Sequence, residues 1–279
     1  MPGTWLCGLR RVKVIHVIDW AARRDAAGAG SVLMKHIAQQ ADALLAIGGS
    51  AETVKMLPTL GFRTTGALRG YVRTLHPLRL LRGLGKQRVR GFYRAARSAM
   101  SSLGAPTGAR SGWRARRLSA GALAEISSVL PTARPGMSVA QRSAALFSYA
   151  LECPIVPLAL YLVEHGGRAR GYFLIASAPG QVRIADCWVD SEAPDEWRAL
   201  LACTIAQAAA DPPAAEIVGW ANDELTANAL EACGFRARHS AAIQLRPRTG
   251  AKLPAESLRV QMLDSDAAYF HEGRKEFWS

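Results

Sequence analysis

The sequence repeats one pattern of apolar residues at two distant places. Residues 43–63 align without a gap with residues 216–236, and the apolar positions of the two stretches coincide. Five aligned pairs are identical: Thr53/Thr226, Leu57/Leu230, Gly61/Gly234, Phe62/Phe235 and Arg63/Arg236. A repeated supersecondary unit constrains the fold strongly, because each copy must bury an equivalent apolar face.

The first copy is predicted as strand, helix, strand, helix and strand. Apolar runs mark the strands, helical spacing marks the helices, and Ser50 and Gly61 are suited to begin and end the second helix. The predicted elements are the strand Val12–Ile18, a helix beginning near Gly30, the strand Ala43–Ile47, a helix from Ser50 to Gly61, and an extended segment from Phe62 to Thr74.

The second copy has the same order, with further elements in front of it. Its predicted core comprises the strand Val182–Val189, the helix Glu196–Ala209, the strand Glu216–Trp220, a helix from Asn222 or Asp223, and the extended segment Phe235–Leu245. Before this core we predict the strand Arg114–Leu118, helices at Ala120–Leu130 and Val139–Leu151, and a hairpin of Pro157–Glu164 with Arg170–Ser177. The first copy has no room for such elements, and it begins at what would be the fourth strand of the second.

Composition favours a cytoplasmic protein with reduced cysteines and no metal. The apolar runs are far shorter than the roughly 18–20 residues needed to cross a bilayer, and the N-terminus does not resemble a signal peptide. Five cysteines are scattered without a Cys-x-x-Cys pair, and the six histidines lack the spacing of a zinc site. The sequence therefore predicts no metal ligands.

Most of the net charge of +13 lies in one connecting stretch. Residues 53–124 contain fifteen lysines and arginines and no aspartate or glutamate. Within this stretch, apolar residues are interleaved with arginines, and we expect residues 69–110 to be partly helical and exposed. This pattern fits either a solvated linker or an anionic membrane surface. Aromatic residues are too few for a platform on which bases stack, so nucleic acid is the least favoured partner.

These elements together resemble the GNAT superfamily of N-acetyltransferases. The order from Trp113 onward is similar to that superfamily, and Leu60-Gly61-Phe62 resembles the signature at its helix-to-strand junction. The resemblance implies an α/β (α+β) fold with a mixed, largely antiparallel sheet flanked by helices. We expect a half-module at residues 1–74, a basic connector at residues 75–112 and a complete module at residues 113–279, with the natural start upstream of Met1.

The segment that follows Val12–Ile18 resembles the acyl-CoA pyrophosphate loop of this superfamily. Gly28-Ala29-Gly30-Ser31 allows the backbone to approach a phosphate, and a helix that begins there presents unpaired N–H groups. Arg23 and Arg24 add positive charge. The resemblance implies acetyl-CoA as co-substrate, with the thioester between the strands Val12–Ile18 and Ala43–Ile47. Backbone N–H groups of the first strand, at Val17 and Ile18, would polarise the acyl carbonyl.

The candidate proton-transfer residues are His16 and Asp19, at the end of the same strand. A lone histidine in a strand is more often structural, so both interpretations stay open. The sequence also departs from the family's pattern: Asp25 stands where glutamine or arginine is usual, and Leu57 and Leu230 replace the tyrosine that acts as general acid in many members.

The sequence thus predicts an N-acyltransferase that transfers an acyl group from acyl-CoA to a small-molecule or peptide amine. The second copy has the acidic segment Ser191–Glu196 in place of the glycine loop, which indicates a degenerate module that does not bind CoA. An inactive tandem GNAT-like protein with a binding or regulatory role is the alternative.

Overall fold

The computed structural model describes residues 2–17, 28–79, 112–132, 134, 136–211, 214–248 and 258–269. These residues belong to two compact units. The first unit comprises Met1–Leu68, Thr132–Gln141 and Ser240–Val260. The second unit comprises Arg69–Pro131, Arg142–His239 and Gln261–Ser279. Two of the boundaries along the chain, after Leu68 and after His239, fall within long strands. The division at residues 74 and 113 stays a prediction.

The strands and helices follow the predicted order, with additions. The strands are β1 (Pro2–Cys7), β2 (Arg10–His16), β3 (Ala43–Ile47), β4 (Arg63–Thr74), β5 (Trp113–Arg117), β6 (Ser138–Ala140), β7 (Leu158–His165), β8 (Arg168–Ala178), β9 (Gln181–Val189), β10 (Glu216–Ala221), β11 (Arg236–Pro247) and β12 (Leu258–Arg259). The α-helices are α1 (Ala29–Gln39), α2 (Ala51–Met56), α3 (Ala144–Leu151), α4 (Pro194–Ala209) and α5 (Glu224–Ala232). The 3₁₀ helices are Leu57–Leu60, Ala120–Val129, Met262–Asp264 and Asp266–Ala268.

The first unit is built on strands in the order β12-β6-β1-β2-β3-β11. The pairs β12/β6 and β2/β3 are parallel and the other neighbours are antiparallel. Helix α1 covers one face of this sheet, where its Met34 packs with Leu44, Ala46, Leu57 and Phe62. Strand β11, which follows the second repeat in sequence, pairs here with β3 of the first.

The second unit has strands in the order β4-β10-β9-β8-β7-β5. Only β9/β10 is parallel among these neighbours. Its core includes the edge-to-face pair Trp188 and Trp197, with ring centroids 6.0 Å apart. Both units therefore have the predicted mixed, largely antiparallel sheet flanked by helices.

The two repeated segments have matching local structure. The side chain of Ser50 accepts a hydrogen bond from the Thr53 N–H, and the side chain of Asp223 accepts one from the Thr226 N–H. Each segment then ends at a glycine in the left-handed region, Gly61 (φ 85°) or Gly234 (φ 81°). Helix α5 is continuous, whereas Pro58 lies at the start of a 3₁₀ turn after α2.

Two elements correct the sequence prediction. The helix expected at Val139–Leu151 is shorter, because Ser138–Ala140 forms β6 and Ser143 caps α3 by accepting from the Leu146 N–H. Strand β1 was not predicted, because Pro2 and Gly3 conceal its pattern, yet it pairs along its length with β2 through a turn at Gly8 (φ 59°). The first copy therefore includes a strand before its predicted start.

The basic segment is only partly described. Residues 69–74 belong to β4, and residues 70–74 are buried, so the expectation that all of residues 69–110 are exposed is wrong for this part. Residues 80–111 lie outside the described residues. No helix in the described part of the chain is long and apolar enough to span a membrane.

Candidate functional site

Gly28 begins the helix that the sequence associates with a phosphate. Its φ of 87° and ψ of −17° place it in the left-handed region, where only glycine is accommodated without strain. Among the described residues, and apart from its chain neighbours, no heavy atom lies within 4 Å of the position that a Cβ on Gly28 would occupy. This part of the chain therefore leaves the backbone of the turn open to an approaching group.

The first turn of α1 has the properties of an anion site. The N–H groups of Ser31 and Val32 donate to the Gly28 carbonyl, at 3.0 and 3.1 Å. By helix geometry, the N–H groups of Ala29 and Gly30 have no acceptor within the helix. The first turn contains no acidic residue and Gly28 provides no side-chain cap. Both features leave the partial positive charge of the helix end available to a ligand.

One predicted site residue, at the end of the strand before this helix, has a backbone N–H that is already hydrogen-bonded. Val17 follows β2, and its N–H donates to the Leu45 carbonyl of β3 at 2.8 Å. Its side chain packs with Ile15 against the cluster under α1. A backbone N–H that polarises a thioester carbonyl would therefore have to come from a residue after Val17.

His16 lies on the other face of the sheet. Side chains alternate along a strand, so Val12, Val14 and His16 share the face opposite to that of Ile15 and Val17. His16 is buried, with 7% of its surface exposed. This position is more typical of a structural histidine than of a proton acceptor beside α1.

The remaining predicted site residues divide into two groups. Gly28, Ala29, Gly30 and Ser31 lie together at the start of α1. Ile18, Asp19, Arg23 and Arg24, like Asp25, lie outside the described residues.

The equivalent helix of the second copy, α4, begins very differently. Pro194, at its first position, has no N–H to offer, and Asp195 and Glu196 occupy its first turn. The Glu196 carboxylate accepts two hydrogen bonds from Arg170, at 2.7 and 2.8 Å. Asp195 pairs with Arg198. Acidic side chains thus occupy the helix end and satisfy its partial charge.

A buried ionic cluster in the second unit was missed by sequence reasoning. Arg142 donates to Asp186 at 2.7 and 3.3 Å and to Asp264 at 2.7 Å, and Tyr172 donates to Asp186 at 2.9 Å. Burial opposes the charge of Arg142, but the two carboxylates raise its pKa well above the usual value. The pKa of the Tyr172 hydroxyl is raised, mainly by burial and secondly by the negative charge of Asp186.

The cluster carries a structural role and leaves no access for a substrate. Its four side chains are nearly inaccessible to solvent, and Phe147 packs edge-to-face on Tyr172 with ring centroids 5.2 Å apart. Asp186 also lies where the pairing of β8 with β9 shifts register. No sequence signal could have found this cluster, because its charged residues are far apart in sequence and show no motif.

The two leucines that replace the family's tyrosine are both buried. Leu57 and Leu230 are each 1% exposed, and each carbonyl accepts from the N–H of the following phenylalanine, Phe62 or Phe235. They therefore serve the packing of the helix ends. Within the described residues, no group of three histidine, cysteine, aspartate or glutamate side chains is arranged to hold a metal ion.

Solved structures with similar folds include acyltransferases. The chain is similar to yeast (Saccharomyces cerevisiae) N-myristoyltransferase with bound myristoyl-CoA, at a TM-score of 0.60 and 13% identity over 88% of this chain and 65% of that one. It is also similar to a probable N-acyltransferase from Enterococcus faecalis, at a TM-score of 0.57, and to a GCN5-related N-acetyltransferase from Anabaena variabilis, at 0.53. The identity is 13% for each of these two, over 88% of this chain and 57% of theirs.

The chain has the fold of the GNAT superfamily. At this level of identity the likeness establishes the GNAT fold alone, and the chain spans less than two thirds of the length of these three neighbours. No protein-family model matches the sequence, and a comparison with curated proteins finds no match. The site of this GNAT fold must therefore be argued from its own residues.

Proposed function

We propose that this chain is an acyl-CoA-dependent N-acyltransferase. The observation that supports the proposal most directly is the start of α1, where a left-handed glycine and an uncapped helix end follow a strand of a GNAT fold. Such a helix end can hold a diphosphate through backbone N–H groups. Similar folds in acyltransferases add support for acyl-CoA as the co-substrate.

In this proposal the diphosphate of the acyl-CoA lies at Gly28–Ser31. Arg23 and Arg24 supply charge beside it, and the thioester lies next to the end of the strand at Val17 and Ile18. Because the Val17 N–H is bonded to Leu45, the donor to the acyl carbonyl is Ile18 or a later residue. We propose acetyl-CoA as the acyl donor.

The reaction is direct attack of the acceptor amine on the thioester. A C–N bond forms at the acyl carbon, the C–S bond breaks, CoA leaves as the thiol, and the amine loses one proton. Asp19 is the proposed proton acceptor, because His16 is buried on the face of the sheet opposite to Val17. The acceptor is a small-molecule or peptide amine, and we propose that the reaction takes place in the cytoplasm, with residues 75–110 able to contact an anionic membrane.

One observation favours a second function. Leu57 and Leu230 leave both copies without the tyrosine that protonates the departing thiolate in many GNAT enzymes, and both leucines are buried. A protein of this kind could bind acyl-CoA and act as a regulatory partner without catalysis.

An acyl-transfer assay separates the two functions. The protein is mixed with acetyl-CoA and a panel of polyamines, amino acids and peptides with free N-termini, and released CoA thiol is measured. We expect amine-dependent thiol release that is lost in Gly28→Val. Tight binding of acetyl-CoA with no transfer to any amine would favour the regulatory function, and absence of binding would show that Gly28 is only a structural turn.

A further inference from the structure

A cleft of about 300 Å³ in the first unit has a basic lining that the proposed acyl-CoA site does not use. It lies between the last turns of α1 and the end of β11. The lining residues are Lys35, Ala38, Gln39, Arg246, Pro247 and Arg248. Three of the six are cationic and none is acidic.

The register of the sheet explains why these cations meet. Arg246 pairs in register with Leu44 of β3, whose side chain packs in the cluster under α1. Residues that pair in register lie on the same face of a sheet, so Arg246 extends along the face that α1 covers. Its guanidinium lies against Gly61, with Nε 3.5 Å from the position of a Cβ there, which restricts its movement.

The charges of the cleft are only partly balanced by the protein. Asp42 accepts from Arg248 at 3.1 Å and from the Lys13 N–H at 3.0 Å. Within the described part of the chain, the side chains of Lys35 and Arg246 make no hydrogen bond and no ion pair. The negative end of α1 contributes roughly −0.5 of an elementary charge, which is too little to balance two cations.

The geometry points to a second ligand site, and we propose that this cleft binds the phosphoryl group of a small phosphomonoester. A guanidinium presents paired N–H donors that match two phosphate oxygens, a lysine adds a point charge, and the Gln39 amide offers a neutral donor. The volume lies at the lower end of the range for small-molecule sites. It has room for a phosphate with a short organic group.

This site is separate from the proposed acyl-CoA loop. Ala38 lies ten residues after Gly28 along α1, which corresponds to about 15 Å along the helix axis. A phosphomonoester in the cleft and a diphosphate at Gly28 can therefore be bound at the same time.

The test is a titration of the full chain with inorganic phosphate and with glycerol 3-phosphate, followed by two-dimensional NMR at ionic strength held constant with chloride. We expect saturable shifts for α1 and β11, with affinity about tenfold weaker in Arg246→Gln and several-fold weaker in Lys35→Gln, since each change removes charged donors. Lys55→Gln, which removes one exposed cation of α2, serves as the matched control and should bind as the parent does.

Equal weakening by Lys55→Gln would show non-specific charge attraction and overturn the proposal, as would the absence of saturable binding. The same titration in Gly28→Val and in the presence of saturating CoA keeps the two sites distinguishable. We expect phosphate affinity to be unchanged in both. If CoA displaces the phosphate, or if Gly28→Val abolishes its binding, the phosphate occupies the acyl-CoA loop and the cleft is not a separate site.

Discussion

The helices α1 and α4 follow corresponding strands of the two copies, but their first turns have opposite chemistry. Helix α1 begins at a left-handed glycine with no acidic residue in its first turn. Helix α4 begins with a proline and two carboxylates, one of them held by Arg170. We therefore expect an anion to bind at the first helix end and not at the second, where carboxylates already occupy the first turn.

The repeated segments that follow these helices, in contrast, have the same local structure in both copies. Ser50 and Asp223 cap their helices through the same backbone position. After Gly61 and Gly234, the N–H groups of Phe62 and Phe235 donate to the carbonyls of Leu57 and Leu230, at 3.1 and 3.0 Å. We infer that the scaffold was retained in both copies while ligand chemistry was retained in one. The predictions below test that inference.

The largest effect on stability is expected from a substitution in the buried ionic cluster around Arg142 in the second unit. Arg142→Met removes the cation between Asp186 and Asp264 and leaves two buried carboxylates close together. We expect the free energy of unfolding to fall by about 3–5 kcal/mol, as measured by urea denaturation. Arg116→Met is the control, because its partners Glu125 and Glu164 are exposed to solvent and its removal should leave the midpoint unchanged.

If Arg142→Met is too unstable to purify, Tyr172→Phe tests the same cluster more mildly. It removes one hydrogen bond to Asp186 and should cost about 1 kcal/mol. In the folded fraction of either variant, acetyl-CoA affinity should equal that of the parent. A loss of affinity would mean that the second copy contributes to the ligand site.

The next effect concerns the glycine at the start of α1. Gly28→Val places a branched side chain at φ 87° and obstructs the backbone, so acetyl-CoA should bind at least tenfold more weakly by equilibrium dialysis. Gly8→Val is a matched control, since Gly8 also has positive φ (59°) and open space around its Cβ position. Similar weakening by both variants would attribute the effect to general strain in the first unit.

A smaller effect is expected at the two helix caps. Ser50→Ala and Asp223→Ala each remove a side-chain acceptor from a backbone N–H, and each should lower the free energy of unfolding by about 1 kcal/mol. Thermal or urea denaturation of the two single variants measures this. Clearly unequal losses would show that the repeated segments have diverged in energy despite their matching geometry.

No effect on CoA is expected from a charge change in the second copy. Glu192 precedes α4, and Glu192→Arg leaves Pro194, Asp195 and Glu196 in place. Acetyl-CoA affinity should therefore stay as in the parent. Tighter binding would show that the start of α4 is a functional phosphate site and would remove the contrast between the copies.

The sequence predicted the repeated elements well because their signals are local. Ser50 and Asp223 begin helices and Gly61 and Gly234 end them, through interactions with neighbours in sequence, and the structure confirms each of these positions. The pairing of β11 with β3 depends on residues far apart in the chain, and only the structure reveals it.

The candidate site was only partly accessible to prediction. The turn at the start of α1 could be predicted, because a backbone conformation with positive φ, as at Gly28, strongly favours glycine. The engagement of the Val17 N–H with Leu45 and the burial of His16 could not be foreseen, since both depend on how β2 lies against β3. The Arg142 cluster was missed for the same reason.

The central claim is that acyl-CoA binds at the start of α1 and not at the start of α4. Backbone hydrogen exchange in the presence and absence of acetyl-CoA tests it most directly, because bound phosphate protects the N–H groups that it contacts. We predict slower exchange at Ala29 and Gly30, whose N–H groups have no acceptor within the helix, and unchanged exchange at Asp195, Glu196 and Trp197. Protection at the start of α4, or protection at neither helix under conditions where acetyl-CoA binds, would contradict the claim.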